Sequence, residues 1–270
     1  MYYLSSITGN RYGITDTKDN VEEFYSIEEV LELSKKLRIH GVLEDTIKVF
    51  NLEALVLKYK LSGQGFEYKI NGDNIILTEY IGTASDFTIP DFITQIGTGA
   101  FHDCSNLESV IFPSSVTSIG AFAFLNCRRL RSITIPGGVS NIEESTFEGC
   151  ESLASIVIPS SVTSIERMAF HACESLMSIT IPKGVTSIEE NAFLSCTNLR
   201  SVMILDSVVN IGIYAFDLCT NLESITIPDS VTSIGRHAFI DCNKLNKVEI
   251  PASCTLDDEV FPKHTKIIRR

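Results

Sequence analysis

Eight cysteines are spread along the 270-residue chain, and seven keep a fixed interval. Cys104, Cys127, Cys150, Cys173, Cys196, Cys219 and Cys242 follow one another every 23 residues, with Cys254 outside the series. Thiols in this number raise the question of metal, disulfide or nucleophilic chemistry. Structural zinc sites use closely spaced Cys pairs with His or Cys partners at matching intervals. No CxxC pair occurs here, and no histidine recurs beside the cysteines at a zinc-like spacing. One thiol per interval fits a small hydrophobe used for packing. Stacked in neighbouring units, such sulfurs could cross-link under oxidation, which is a liability and not a mechanism.

The remaining reactive side chains give no stronger signal. The five histidines are His40, His102, His171, His237 and His264; His102 and His171 share a position three intervals apart, roughly 15 Å at the spacing of paired strands and too far for one metal. The carboxylate pairs Glu143–Glu144 and Glu189–Glu190 recur, but acid–base work needs a site that perturbs such groups, and a solvated turn supplies none. The chain has no Gly-rich phosphate loop, no GxSxG and no HExxH. We expect no catalytic, cofactor-binding or metal-ligating residues. One basic cluster stands out, Arg128, Arg129 and Arg131 in "CRRLRS". Arginine suits protein interfaces and carboxylate recognition; alternatively Glu108, Glu151 or Glu174 in adjacent units neutralises it.

What positions these residues is the period itself. Phe101, Phe124, Phe147, Phe170, Phe193, Phe216 and Phe239 repeat every 23 residues, as do Leu107 to Leu245 and Ile119 to Ile234. Such periods mark stacked repeats, in which no unit buries its apolar face alone. In "LMSITIP", Ile179 and Ile181 alternate with Ser178 and Thr180, the signature of a short half-buried strand. Successive strands can pair in parallel about 4.8 Å apart. Pro182 ends the strand because it has no N–H. "GVTSI" reads as a second short strand with Val185 and Ile188 inward, and "EENAFLSC" as one helical or 3₁₀ turn.

The unit CxxLxSITIPxSVTSIGxxAF resembles the BspA-like, or Treponema-type, leucine-rich repeat, over residues of about 66–262. The resemblance implies a leucine-rich-repeat solenoid of about seven coils, made of short parallel strands and short helical turns. Among exported members it implies a role as a surface adhesin. The chain departs from commoner leucine-rich repeats, which place Asn or Cys three residues after the second strand leucine. Here Ser115, Gly138, Ser161, Gly184, Ser207, Ser230 and Ser253 stand instead, so the turn must be held in another way.

Both ends of a solenoid need lids. Residues 63–90 read as a leading cap with a hairpin turn at "NGD", and 257–270 as a closing cap. In the latter Asp257 stands where an inward Ile belongs, Phe261 comes one residue early, and Ile267 and Ile268 offer a last strand. Residues 1–62 form a small α/β module: strands at "YYLSSITG", "RYGITDT" and "VEEFYS", and a helix over 27–38 opened by the capping box of Ser26 and Glu29. A strand at "TIKVF" and a helix at "NLEALVLKYKL" follow. The module is an adaptor or a large lid.

The net charge of −12 disfavours nucleic acid and anionic membranes as partners. Neither a signal peptide nor a membrane-spanning stretch is visible. We expect a cytoplasmic protein, or a cell-surface one if an export segment is missing from the sequence. In a curved solenoid the strand sheet lines the concave side, which commonly binds. Its outward column is Ile111, Thr134, Val157, Thr180, Met203 and Thr226, beside a serine column. Apolar groups among short polar ones suit a protein or peptide, or Thr and Val merely satisfy strand propensity. A second candidate is the turn side, with Phe122, Leu125, Met168, Leu194, Ile213, Tyr214, Leu218 and Ile240. The leading expectation is a non-enzymatic protein-interaction scaffold. The alternatives are an acidic intracellular inhibitor, of prophage type, that covers a basic nucleic-acid-handling protein, and the adhesin.

Overall fold

The computed structural model describes residues 65–270 in full, together with the backbone of three earlier strands. These are β1 (Tyr3–Ile7), β2 (Arg11–Thr15) and β3 (Phe24–Tyr25), which pair antiparallel in that order. They coincide with the three expected strands. The helices and the further strand expected between residues 26 and 62 lie outside the described residues. The chain divides into two compact units, Met1–Phe66 and Glu67–Arg270.

The second unit is a β-solenoid of about eight turns, and each coil contributes two short strands to two parallel ladders. The long-strand ladder comprises β6 (Asp86–Thr88), β8 (Ser109–Ile111), β10 (Ser132–Thr134), β12 (Ser155–Val157), β14 (Ser178–Ile181), β16 (Ser201–Ile204), β18 (Ser224–Thr226), β20 (Lys247–Ile250) and β22 (Lys266–Arg269). The short-strand ladder comprises β7 (Gln95–Ile96), β9 (Ser118–Ile119), β11 (Asn141–Ile142), β13 (Ser164–Ile165), β15 (Ser187–Ile188), β17 (Asn210–Ile211), β19 (Ser233–Ile234) and β21 (Thr255–Leu256). Register is set by the repeat: Ser178 pairs Ser201, Ser187 pairs Asn210, and so on. The leading cap is a hairpin of β4 (Phe66–Asn71) and β5 (Asn74–Tyr80), turned by Gly72 at φ +59°. Strand β5 pairs in parallel with β7 and so forms the first rung of the short-strand ladder.

Stacking fills the core. From Phe101 to Phe261 the rings lie 4.8–5.5 Å apart and within 13° of parallel. Tyr80 heads the column, 5.4 Å from Phe101. The repeated thiols add a ladder of their own. Cys127, Cys150, Cys173, Cys196, Cys219 and Cys242 each donate S–H to the carbonyl of the phenylalanine one coil earlier, at 3.0–3.3 Å.

The position left open by the missing asparagine is explained by serine. Ser115, Ser161, Ser207 and Ser230 donate their hydroxyls to the carbonyls of Ile93, Val139, Val185 and Val208 in the preceding coil, at 2.7–2.8 Å. Where the residue is Gly184, its φ is +130°, and the backbone N–H itself donates to Ser207 Oγ at 3.1 Å.

The expected helical or 3₁₀ turn is corrected. Residues such as Asn191–Cys196 form tandem turns with left-handed residues four apart, as at Met168 and Ala172 or Tyr214 and Leu218. A helix would direct its N–H groups along its own axis. Here alternate N–H groups donate to the next coil, Met168 to the Glu190 carbonyl, Phe170 to Ala192 and Ala172 to Leu194, at 2.8–3.1 Å. Each non-glycine left-handed residue costs about 1–2 kcal/mol locally, and this third ladder of hydrogen bonds offsets it.

The closing cap also differs from expectation. The last coil is one residue short, so Leu256 pairs with Ile234 and fills the inward slot that the period assigns to Asp257. Phe261 is therefore in phase with Phe239, 5.1 Å away. Cys254 takes the inward Val position and is buried. Ile267 and Ile268 do belong to a last strand, β22, which pairs in parallel with β20.

Phe170→Ala, in the middle of the ring column, is expected to cost about 3–5 kcal/mol in chemical denaturation. Thr180→Ala, on the outer face of β14, is expected to stay within about 0.5 kcal/mol.

Candidate functional site

The long-strand ladder buries alternate side chains and exposes the others. Ile133, Ile179 and Val202 face inward and are buried, while Ser132, Thr134, Ser178, Thr180, Ser201 and Thr226 face solvent. Three apolar side chains share this outer face. Ile111, Val157 and Met203 are 61%, 59% and 52% exposed. Register places Val157 beside Thr134, and Met203 between Thr180 and Thr226. The column read from the sequence thus carries an apolar post on every second coil and is interrupted between Val157 and Thr180, where β12 and β14 do not pair. Met177, in the neighbouring column, is exposed as well.

The ladder is not evenly closed. Strands β8 and β10 share a single pair, Ser109 with Ser132, and no pairing joins β12 to β14 or β18 to β20. An open depression of about 820 Å³ lies over the first gap, lined by Ile111, Phe112, Pro113, Thr134 and Pro136 among others. Phe112 stands where other coils have Ile, is half-buried, and meets Phe124 edge-on at 6.0 Å. Beside the second gap Ile156 and Ile158 are half-buried, although the corresponding Ile133 and Ile135 are buried. Sequence reasoning missed these openings. The phenylalanine at position 112 was the available signal for the first; the others have none.

The arginine cluster is largely paired. Arg128 Nη1 lies 2.8 Å from Glu151, and Arg131 Nη2 lies 3.0 Å from Glu108. Both glutamates were foreseen as partners. Arg129 is exposed. Of the turn-side candidates, Ile213 and Leu218 are exposed, whereas Phe122, Leu125, Met168, Leu194, Tyr214 and Ile240 are half-buried.

The titratable groups serve structure. His237 joins Tyr214 Oη (2.9 Å) to Glu259 (3.0 Å), bracing three successive coils at their left-handed turn positions. Its hydrogen bond holds the Glu259 carboxyl below the usual carboxylate range. His171 meets Glu148 at 3.1 Å, and His102 meets Asp103 at 3.3 Å. Burial raises Asp217, whose carboxylate accepts the Leu218 N–H. Burial also pushes the Cys127, Cys150, Cys173 and Cys219 thiols far up. As carbonyl donors they are held protonated and are poor nucleophiles. Among the described residues no group of three or more His, Cys, Asp and Glu is placed to hold a metal ion. No helix among them is long and apolar enough to cross a membrane.

A family model described as "BspA type Leucine rich repeat region" matches residues 79–199 and 140–268 in six copies. The fold is similar to a leucine-rich repeat protein of Treponema pallidum, with 34% identity over 66% of this chain and 87% of that one, at a TM-score of 0.64. A leucine-rich repeat protein from Bacteroides ovatus matches at 27% identity over 75% of this chain and 65% of that one (TM-score 0.57). One from Eubacterium ventriosum matches at 25% identity over 62% and 48% (TM-score 0.54). No curated protein matches the chain.

Cys104 begins the thiol column and is the one cysteine that is not buried; burial and the nearby Asp103 push its thiol to about 11. In the native protein iodoacetamide should therefore modify Cys104 alone, slowly at pH 7.5 and faster as pH rises toward 11. All eight thiols should react in denaturant. Peptide mapping by mass spectrometry reads the result, and native labelling spread over Cys127 to Cys242 would contradict the buried ladder.

Proposed function

Because the chain belongs to the BspA-type leucine-rich repeat family, we propose that it is a non-enzymatic scaffold that binds a protein partner through the outer face of its long-strand ladder. The observation that carries this reading is the row of Ile111, Val157 and Met203, more than half exposed on a flat face of short hydroxyl side chains. Leaving three large apolar groups in water gives no stability to the solenoid, whose core is complete without them. Covering each one would yield about 1.5–3 kcal/mol. Met203 stands on a strand whose inward neighbours, Val202 and Ile204, are buried, so that post loses little ordering entropy on binding.

The same face weighs against the acidic-inhibitor reading. The acids that make the solenoid negative lie largely on the turn and short-strand sides, as at Glu143, Glu144, Glu166, Glu189 and Glu190. The central coils of the long-strand side carry Arg131, Lys183 and Arg200, with Glu108, Asp206 and Glu223 at the same repeat positions one coil away.

The test is affinity capture with the full chain from extracts of its natural host. Val157→Glu combined with Met203→Glu should abolish capture of the specific partner while moving the melting temperature by no more than a degree or two. Capture that survives the double substitution would refute the assignment of this face.

A further inference from the structure

The gaps in the long-strand ladder are not equivalent, and the backbone bonds that frame each coil boundary tell them apart. At a closed boundary the near end is tied by an N–H of the later coil, as where Ala154 donates to Arg131 and Arg200 to Met177, both at 2.9 Å. The far end is tied by an N–H of the earlier coil, as where Ile89 donates to Ile111 at 2.9 Å and Ile135 to Val157 at 3.1 Å. The repeat calls for the same two ties at every boundary. At β8/β10 the near tie is made, Arg131 to Glu108 at 3.0 Å, and the far tie from Phe112 to Thr134 is not. At β12/β14 both fail, Met177 to Ala154 and Ile158 to Thr180; at β18/β20 both fail again, Asn246 to Glu223 and Ile227 to Glu249.

Two of these seams are fastened by a side chain. Arg131 crosses the first and pairs with Glu108 at 3.0 Å. Arg270, which follows β22, reaches back over β20 to the third, where it donates to the Ile227 carbonyl and lies 3.3 Å from Asp229. Ile227 is buried beneath it. Among the described residues no side-chain hydrogen bond or ion pair crosses the second seam, between residues 153–161 and 176–184. Ile156 and Ile158 are half-buried there, whereas Ile179 and Ile181 on the facing strand are buried.

The remaining sides of the same two coils are closed. Before the seam Ser175 donates to the Glu151 carbonyl, and after it Thr186 donates to Thr163, both at 3.0 Å. The short strands β13 and β15 pair in register, and Phe147 stacks on Phe170 at 5.5 Å and 12°. The two coils therefore form a wedge, held along the short-strand side and the ring column and unheld along the long-strand side.

We infer that the solenoid hinges at the β12/β14 seam. Coils up to β12 and coils from β14 onward move as two bodies about an axis near the short-strand ladder, and the long-strand side opens and closes. No bond has to break for this motion, so its free-energy cost is set by the apolar contacts of Ile156 and Ile158 alone, at the low end of the range for local opening. A packed interior resists continuous bending, so flexure concentrates where the ladder is already interrupted. The distance from Val157 to Met203 is then adjustable, and a partner seated across the seam selects one hinge angle. The hinge does not depend on the binding assignment and stands even where the long-strand face binds nothing.

The test compares one span of four coils on two sides of the full-length protein. Cys104, the one thiol that is not buried, is replaced by Ser. Nitroxide labels are then placed on Thr134→Cys/Thr226→Cys, on the long-strand side, or on Ser140→Cys/Thr232→Cys, on the short-strand side. All four positions are exposed, and both pairs bracket the second seam alone. The short-side pair should give a narrow distance distribution near about 19 Å, four strand spacings, measured by electron paramagnetic resonance. The long-side pair should give a longer and broader one. Equally narrow distributions would overturn the hinge. Hydrogen exchange on the unmodified protein supplies a second readout: the Met177 and Ile158 amides should exchange at least about tenfold faster than Ala154, Arg200 and Ile135 at the same repeat positions. Equal protection at these sites would also overturn it.

Discussion

Every coil must return to its starting point displaced by about 5 Å along one axis, and this constraint governs the rest of the structure. A ring can stack on its own copy only if the intervening 23 residues close one turn without error. The parallel ring column records how well they do so, with interplanar angles of 2–13° from Phe101 to Phe261. Backbone pairing imposes the same step on both strand ladders. Where the count changes, the error is confined: the last coil drops one residue, Leu256 takes the inward slot, and Phe261 is restored to the column. A solenoid tolerates this at its end because each coil contacts only its neighbours.

The same constraint explains what could be read from the sequence. A side chain that must meet a copy of itself cannot vary freely, so the Phe, Leu, Ile and Cys columns announce the stack without reference to any single coil. Inward and outward faces of the long strands follow from alternation, and Ile111, Val157 and Met203 were identified on that ground. The turns were not legible. "EENAF" favours a helix by local propensity, but alternate N–H groups there are needed by the coil above. Left-handed residues at Met168, Ala172, Tyr214 and Leu218 turn them outward. Nothing in a β-unbranched or bulky side chain advertises that conformation. The serine hydroxyls that replace an asparagine ladder were similarly hidden, since a serine in a turn has many possible acceptors and only the stack selects one.

The candidate site was legible in outline only. The sequence placed the outward row and the partners of Arg128 and Arg131. It did not reveal where the ladder opens, because the gaps at β12/β14 and β18/β20 arise from pairing geometry and not from residue type.

Skeleton and surface are energetically separate in this fold, and that separation bears on recognition. The buried columns supply stability, and the thiol ladder shows how completely they are satisfied: each sulfur has a carbonyl acceptor and is shielded from deprotonation. The exposed row adds almost nothing to that ledger, so its residues are free to be chosen for a partner.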